Sequence, residues 1–322
     1  MTILVTGAAG FIGSHFCEAL LVDGHRVIGL DNFDPFYPAA VKWGNVQRAL
    51  SHPAFKLEEG DIRDRQLLRR IFTQQPVDVV IHLAAKAGVR PSILQPSEYF
   101  DVNVNGTLQI LESMAETRVK RLLFASSSSV YGNQAKTPFS ETDDVSHPIS
   151  PYAASKRSGE LLAHTWHHLY GMDVACLRLF TVYGPRQRPD LAIHKFAQLA
   201  LENKPIPLYG DGKTRRDYTF VADIVQGMRQ LLELPSWGYE IFNLGGGRPV
   251  TLTEMVHALE AALGRMLEVQ FMPKQPGDVE QTYADISKAF RYFGYRPRVG
   301  LPEGVQQFTT WLQRNEAGAL AG

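Results

Sequence analysis

The sequence predicts an α/β fold: a doubly wound parallel sheet followed by a smaller C-terminal α/β domain. Three observations carry that expectation. Strand-like apolar runs alternate with amphipathic helical stretches through residues 1–180, the chain order of a parallel sheet with helices on both faces. Most of these runs are apolar at nearly every position, as strands buried on two sides are. The first run leads directly into glycines at 7, 10 and 13 and then a helical pattern, so the backbone turns tightly and leaves a helix N-terminus open.

Taken in order, "TILVT" (2–6) is the first strand and an amphipathic run from Phe11 to about Val22 the first helix. "HRVIGL" (25–30) is the second strand, and "FKLEEGDI" (55–62) the third, leading to a helix around 64–74. "DVVIHLAA" (78–85) is a buried strand, followed by one helix over 97–117 and a strand "KRLLFASS" (120–127). A helix over 151–170 precedes "DVACLRLF" (173–180). From about residue 181 to 322, Pro and Gly become frequent, as in "VYGPRQRPD" and "NLGGGRPV". This predicts a second, less regular domain, with short segments returning to the main sheet. The final "NEAGALAG" reads as a frayed tail.

The 322 residues suffice for one large or two smaller cores. Lys and Arg number 33 and Asp and Glu 33, so no basic surplus points to nucleic acid or a membrane surface. No stretch is apolar for long enough to span a bilayer, and no secretory leader pattern opens the chain. Cys17 and Cys176 lie in apolar segments, which predicts buried free thiols rather than a disulfide or zinc site. A reducing cytoplasm is the expected compartment. His164 and His168 share a helix face, but no Glu follows His164. A solvated face is therefore expected there rather than a metal site.

The glycine turn in "TGAAGFIG" lets the backbone approach a pyrophosphate, whose charge the open helix N-terminus favours. Asp31 closes the second strand about 20 residues further on, where the Rossmann-type dinucleotide fingerprint places a ribose-binding acid. A carboxylate there repels a 2′-phosphate, so the cofactor predicted is NAD rather than NADP. Asp61, followed by Ile62, is a candidate for the adenine end, and equally a candidate N-cap for the helix at 64–74. In "SPYAASKRSGE" (150–160), Tyr152 and Lys156 are four apart and project from one helix face. A free phenol has a pKa of about 10. A neighbouring ammonium lowers it and makes the pair a general acid/base. "SSSSVYG" (126–132) puts hydroxyls at the carboxyl edge of the sheet, where ligands of this fold bind.

Together "TGAAGFIG", "SSSSVYG" and "YAASK" resemble the extended short-chain dehydrogenases/reductases, above all their nucleotide-sugar epimerase branch, over about residues 2–311. The resemblance implies Ser127, Tyr152 and Lys156 as catalytic residues. It implies Gly7, Gly10, Phe11, Ile12 and Gly13 around the pyrophosphate, Asp31, Asn32, Asp61 and Ile62 at the adenosine end. "HLAAKAGVRPS" and "DVNVNGT" also match. They imply Leu83, Ala84, Ala85, Lys86 and Asn103 along the cofactor cleft, with Lys86 and Arg90 reaching the sugar. Several further segments, including "DNFDPFYPAAVKWGN" (31–45) and "LFTVYGPRQRPD" (179–190), are similar to the UDP-glucuronate 4-epimerase subgroup.

By that resemblance Thr181, which replaces the usual Asn of UDP-glucose epimerases, joins Ser127, Ser128 and Ser129 around a sugar carboxylate. Arg188 is either its charge partner or a surface arginine. Arg216 holds the UDP pyrophosphate, and Asp278 lies near the uridine ribose. Thr282 stands where some galactose epimerases carry a bulky tyrosine, which leaves room at the sugar. The reaction implied converts UDP-glucuronate to UDP-galacturonate by oxidation and re-reduction at C4. Tyr152 is the base, Ser127 the proton relay, and Lys156 lowers the tyrosine pKa and holds the nicotinamide ribose. The alternative is a UDP-glucose/UDP-galactose, or N-acetyl, 4-epimerase. Dehydratases carry Asp-Glu where this chain has Ser128-Ser129, and UDP-glucuronate decarboxylases carry Glu at the position of Ser129, so both reactions are disfavoured. A non-catalytic NAD-binding module is disfavoured because Ser127, Tyr152 and Lys156 are all present. The helices over 97–117 and 151–170 are those that pair in homodimers of the family.

Overall fold

A computed structural model describes residues 1–273 and 279–320. The first winding runs β1 (Thr2–Thr6), α1 (Phe11–Val22), β2 (Arg26–Asp31), α2 (Ala39–Leu50), β3 (Phe55–Glu59) and α3 (Arg65–Gln74). The second starts at β4 (Val79–His82) and continues through α4 (Val89–Leu94), α5 (Pro96–Phe100), α6 (Gly106–Thr117) and β5 (Arg121–Ser127). It ends with α7 (Pro151–Tyr170) and β6 (Asp173–Leu179). The remainder comprises β7 (Thr181–Tyr183), α8 (Ala192–Leu201), β8 (Ile206–Tyr209), β9 (Arg215–Phe220), α9 (Val221–Leu232) and β10 (Tyr239–Leu244). Then follow β11 (Pro249–Thr251), α10 (Leu252–Leu263), β12 (Val269–Met272), α11 (Ser287–Phe293) and α12 (Leu301–Leu320).

Seven strands form one sheet in the order β10-β6-β5-β4-β1-β2-β3, every neighbouring pair parallel. The strand order reverses between β1 and β4, which opens a crevice at their carboxyl ends. Alternate residues serve opposite faces. Ile3, Val5, Ile81, Leu123 and Leu177 pack with Phe16 and Cys17 of α1 and Ile224 and Met228 of α9. Leu4, Val80, Leu122, Phe124 and Cys176 pack with Leu68 of α3, Ile110 of α6 and Ala163 of α7. Both cysteines are free and buried. A separate core of Ile193, Phe196, Leu208, Met255, Leu259 and Phe308 holds α8, α10 and α12 around β8 and β9.

The structure departs from the sequence reading in several places. The helix expected over 97–117 is present but carries a π-helical turn: α5 passes into it at Asp101–Asn105 before α6. The wider turn carries Asn103, whose amide accepts from Lys86 N–H at 2.7 Å and donates to Lys86 O and Ser155 Oγ, each at 2.9 Å. Helix α2 was not anticipated. It buries Lys42, Asn45, Val46 and Ala49, a stripe at helical spacing whose polar members mask its period. Asp64, not Asp61, caps α3, accepting from the N–H groups of Gln66 and Leu67. Helix α12 continues through the tail expected to fray, to Leu320.

Candidate active site

The crevice between β1 and β4 is floored by the glycine turn. Gly7 has φ +70, and a Cβ there would sit 2.8 Å from the Ala84 backbone nitrogen. A Cβ on Gly13 would sit 2.1 Å from Gly7 O. Both positions therefore require glycine for backbone-on-backbone packing. At Gly10 the same test meets only Gly7 O, at 3.1 Å, leaving that side open to a ligand. Helix α1, which carries Phe11 and Ile12, starts with no side-chain cap and no acid in its first turn. Its N–H groups are the anion-binding end of a helix.

Asp31, 7 % exposed, accepts from Ala9 N–H at 3.0 Å and Phe33 N–H at 2.8 Å, with the Lys42 ammonium 3.7 Å away. The carboxylate is thus tied to the turn, and its remaining lone pairs suit ribose hydroxyls. Asp61 lies beside it in the third βα connection. It accepts from Asn32 Nδ2 at 2.9 Å and from the Arg63 guanidinium at 2.7 Å, and these hydrogen bonds hold its carboxyl at about 2. Ile62 is buried against Gly106. These features fit an adenine dinucleotide: a glycine cradle, an open helix end and a carboxylate at the ribose position.

Residues Leu83, Ala84, Ala85 and Lys86 follow β4 and form the opposite wall. Lys86 Nζ pairs with Asp34 at 3.2 Å and Glu98 at 2.7 Å. Beyond it, the Ser127 hydroxyl lies close enough to the Tyr152 phenol to lower its pKa and accepts from Ser129 N–H at 3.1 Å. Ser127 ends β5 and caps the short 3-10 turn Ser128–Tyr131. Ser150 caps α7, with Pro151 in the first turn, and this fixes where Tyr152 leaves the helix. Burial raises the Tyr152 pKa, while the Ser127 hydroxyl and the Arg188 guanidinium pull it down.

Lys156 lies one turn further along α7. Its ammonium donates to Ala125 O at 2.8 Å, and burial lowers it to about 8. The Arg188 guanidinium is a charge that pulls the Tyr152 pKa down. That residue is not a surface arginine, because its side chain is 15 % exposed and donates to Asp190 at 2.6 Å and to Ala87 O at 3.2 Å.

Next to this pair lies a cavity of about 190 Å³ lined by Ser128, Ser129, Thr181, Arg216, Thr282 and Val89, among others. Thr282 also accepts from Asp217 N–H at 3.2 Å. Arg90 is outside that lining, its guanidinium 5.1 Å from the Tyr209 ring centre. Asp278 lies outside the described residues. Two features escaped the sequence reading. Asp217, fully buried, accepts from Gly246, Gly247 and Ala284 N–H groups and holds the cavity's far wall. Glu160, one turn past Lys156, accepts from Ser126 Oγ at 2.6 Å and forms a two-point buried pair with Arg178. Its position i+4 to Lys156 was the available signal.

The chain matches the family described as GDP-mannose 4,6 dehydratase over residues 4–308. It is 42% identical over 313 residues to the UDP-glucuronate 4-epimerase of Thermodesulfobacterium geofontis, covering 97% of this chain and 96% of that one. Among solved structures it is similar to the UDP-glucuronic acid 4-epimerase of Bacillus cereus in complex with UDP-glucuronic acid and NAD. That likeness has 37% identity, a TM-score of 0.93 and coverage of 98% and 100% of the two chains. It is also similar to the UDP-glucose 4-epimerase of Thermotoga maritima with UDP-glucose, at 33% identity, TM-score 0.91 and coverage of 98% and 100%.

Proposed function

The chain belongs to the GDP-mannose 4,6-dehydratase family of extended short-chain dehydrogenases/reductases, and from that membership we propose that it is an NAD-dependent epimerase inverting C4 of UDP-glucuronate to give UDP-galacturonate. The carrying observation is the cavity beside Ser127 and Tyr152. It presents the hydroxyls of Ser128, Ser129 and Thr181, and no carboxylate is among its lining residues within the described chain. The acids that elimination and decarboxylation use at positions 128 and 129 are absent. These hydroxyl donors suit a substrate that itself bears a carboxylate.

Gly7, Gly10, Gly13 and the start of α1 hold the NAD pyrophosphate, and Asp31 and Asp61 hold the adenosine end. Bound there, NAD supplies reversible hydride acceptance from sugar C4, through a transient 4-keto sugar and with no net redox change. Tyr152 takes the proton from the sugar O4 and later returns it. Ser127, near enough to that phenol to lower its pKa, orients O4 and passes the proton. Lys156, largely protonated at neutral pH, holds the nicotinamide ribose. Arg216 binds the UDP pyrophosphate, and Asp278 serves the uridine ribose. Thr282 is small and lines the cavity, which favours UDP-glucose as a second, weaker substrate.

We place this enzyme in the reducing cytoplasm, in keeping with its two free thiols. No described helix is long and apolar enough to cross a membrane. A homodimer through the helices around α6 and α7 is supported by exposed Leu94, Phe100 and Leu161, and light scattering of the purified chain tests it. The reaction itself is tested by incubating the chain, without added NAD, with UDP-glucuronate and UDP-glucose separately and resolving the products by chromatography and NMR. UDP-galacturonate as main product supports the reading. UDP-galactose alone moves the assignment to a UDP-glucose epimerase, and a UDP-pentose to a decarboxylase.

A further inference from the structure

His82 is buried at the carboxyl end of β4, beneath the crevice, and takes no part in the chemistry above. Its hydrogen bonds can be followed proton by proton. Thr107 Oγ1 donates to Asn103 O at 2.6 Å, which uses its only proton. The contact of 3.0 Å between Thr107 Oγ1 and His82 Nε2 must therefore have the imidazole as donor. Burial and the Lys156 charge push His82 down to about 3, so the ring is neutral and Nδ1 is bare. Thr6 Oγ1, 2.7 Å from Nδ1, then donates to it, and keeps its lone pairs for Ala84 N–H at 3.1 Å.

This chain of bonds starts at the residue before the glycine turn and ends on the π-helical turn. From there Asn103 continues to Lys86 and, through Ser155 Oγ, to the backbone oxygen of Tyr152 at 2.8 Å. Gly7 and Ala84, whose backbones are too close to admit a Cβ, are the two walls that the link spans. A hydrophobic residue at 82 would satisfy the sheet but could not join them.

We propose that His82 is a positioning residue for the dinucleotide, its Nε2–H tautomer fixing the gap between the glycine turn and the 83–86 wall by bonding Thr6 and Thr107 at once. The inference rests on the NAD site proposed above, and its test is read in binding rather than turnover. NAD affinity is measured by calorimetry on nucleotide-stripped wild type, His82→Gln, His82→Asn and Thr6→Val. Gln keeps an N–H donor at the Nε2 position but no acceptor for Thr6; Asn keeps the acceptor. Loss of either link is expected to weaken NAD about tenfold, or ~1.4 kcal/mol, in Thr6→Val, His82→Gln and His82→Asn alike. Variants that melt earlier but bind NAD like wild type make His82 purely structural and overturn the assignment. Long-range ¹H–¹⁵N NMR of the wild type is an independent check needing no variant: an Nδ1–H tautomer or imidazolium at neutral pH refutes it. A wild type that does not bind NAD refutes the functional reading itself.

Discussion

Replacing Ser127 with alanine removes the hydroxyl that favours the Tyr152 phenolate. A hydrogen bond to a charged group contributes ~1.5–3 kcal/mol, and ~1.4 kcal/mol corresponds to one pKa unit. Its loss leaves burial opposed by the Arg188 guanidinium and raises the Tyr152 pKa further. At neutral pH, below that pKa, the base form becomes scarcer in proportion. The kcat for UDP-glucuronate is expected to fall about 10- to 100-fold at pH 7. The deficit shrinks as pH rises, because the whole acid limb of the profile moves to higher pH. Ser127→Ala also removes the acceptor of Ser129 N–H, costing ~1 kcal/mol of stability as a lost cap does; a melting curve and the retained NAD show the fold is intact. The assay is product formation by chromatography from pH 6 to 10. A kcat within twofold of wild type with an unmoved pH profile would show that Ser127 does not tune the base.

Asp31→Asn removes the charge beside Lys42 and one acceptor for Ala9 or Phe33 N–H. Calorimetry should show NAD binding weakened about tenfold and the margin over NADP narrowed. Gly13→Ala places a methyl 2.1 Å from Gly7 O, so it is expected to lower stability by ~1–3 kcal/mol and lose NAD together, read by urea unfolding and nucleotide release. Asp61 is held at about 2 in the folded chain, below its unfolded value of about 3.9. Its stabilisation is present above about pH 4 and is lost as pH falls toward 2. Asp61→Asn should therefore flatten acid unfolding in that window and leave stability differences at pH 7 and 8 equal; a variant with an unchanged acid profile contradicts the hydrogen-bond account.

Much of the main sheet was legible because a strand buried on both faces announces itself in almost every residue, as Val79, Val80 and Ile81 do. The glycine turn was legible for a related reason: only glycine fits at 7 and 13, so its spacing is backbone geometry written in residue type. Where side chains do two jobs the signal fades. Lys42 and Asn45 sit on the buried stripe of α2 because they serve Asp31 and Ala9 O, and a polar stripe hides a helix. The π-helical turn depends on Asn103 finding Lys86 and Ser155, partners distant in sequence. Tyr152 and Lys156 were legible as a pair, but not the direction of the ammonium, which is decided by the Ala125 carbonyl on another element.

The place of β10 in the sheet bears on how the chain is made. Its residues 239–244 close the outer edge of β6, pairing Tyr239 with Val174 through to Leu244 with Leu179. On a ribosome adding ~5–20 residues per second, that edge waits on the order of seconds for its partner while the chain between them is made. An unpaired strand edge lined by Ala175 and Leu177, both fully buried in the finished sheet, is a template for wrong pairing. The growing chain is thus most exposed to aggregation between the emergence of β6 and that of β10. A chain stopped at residue 180 would carry that open edge permanently, however complete its cofactor residues.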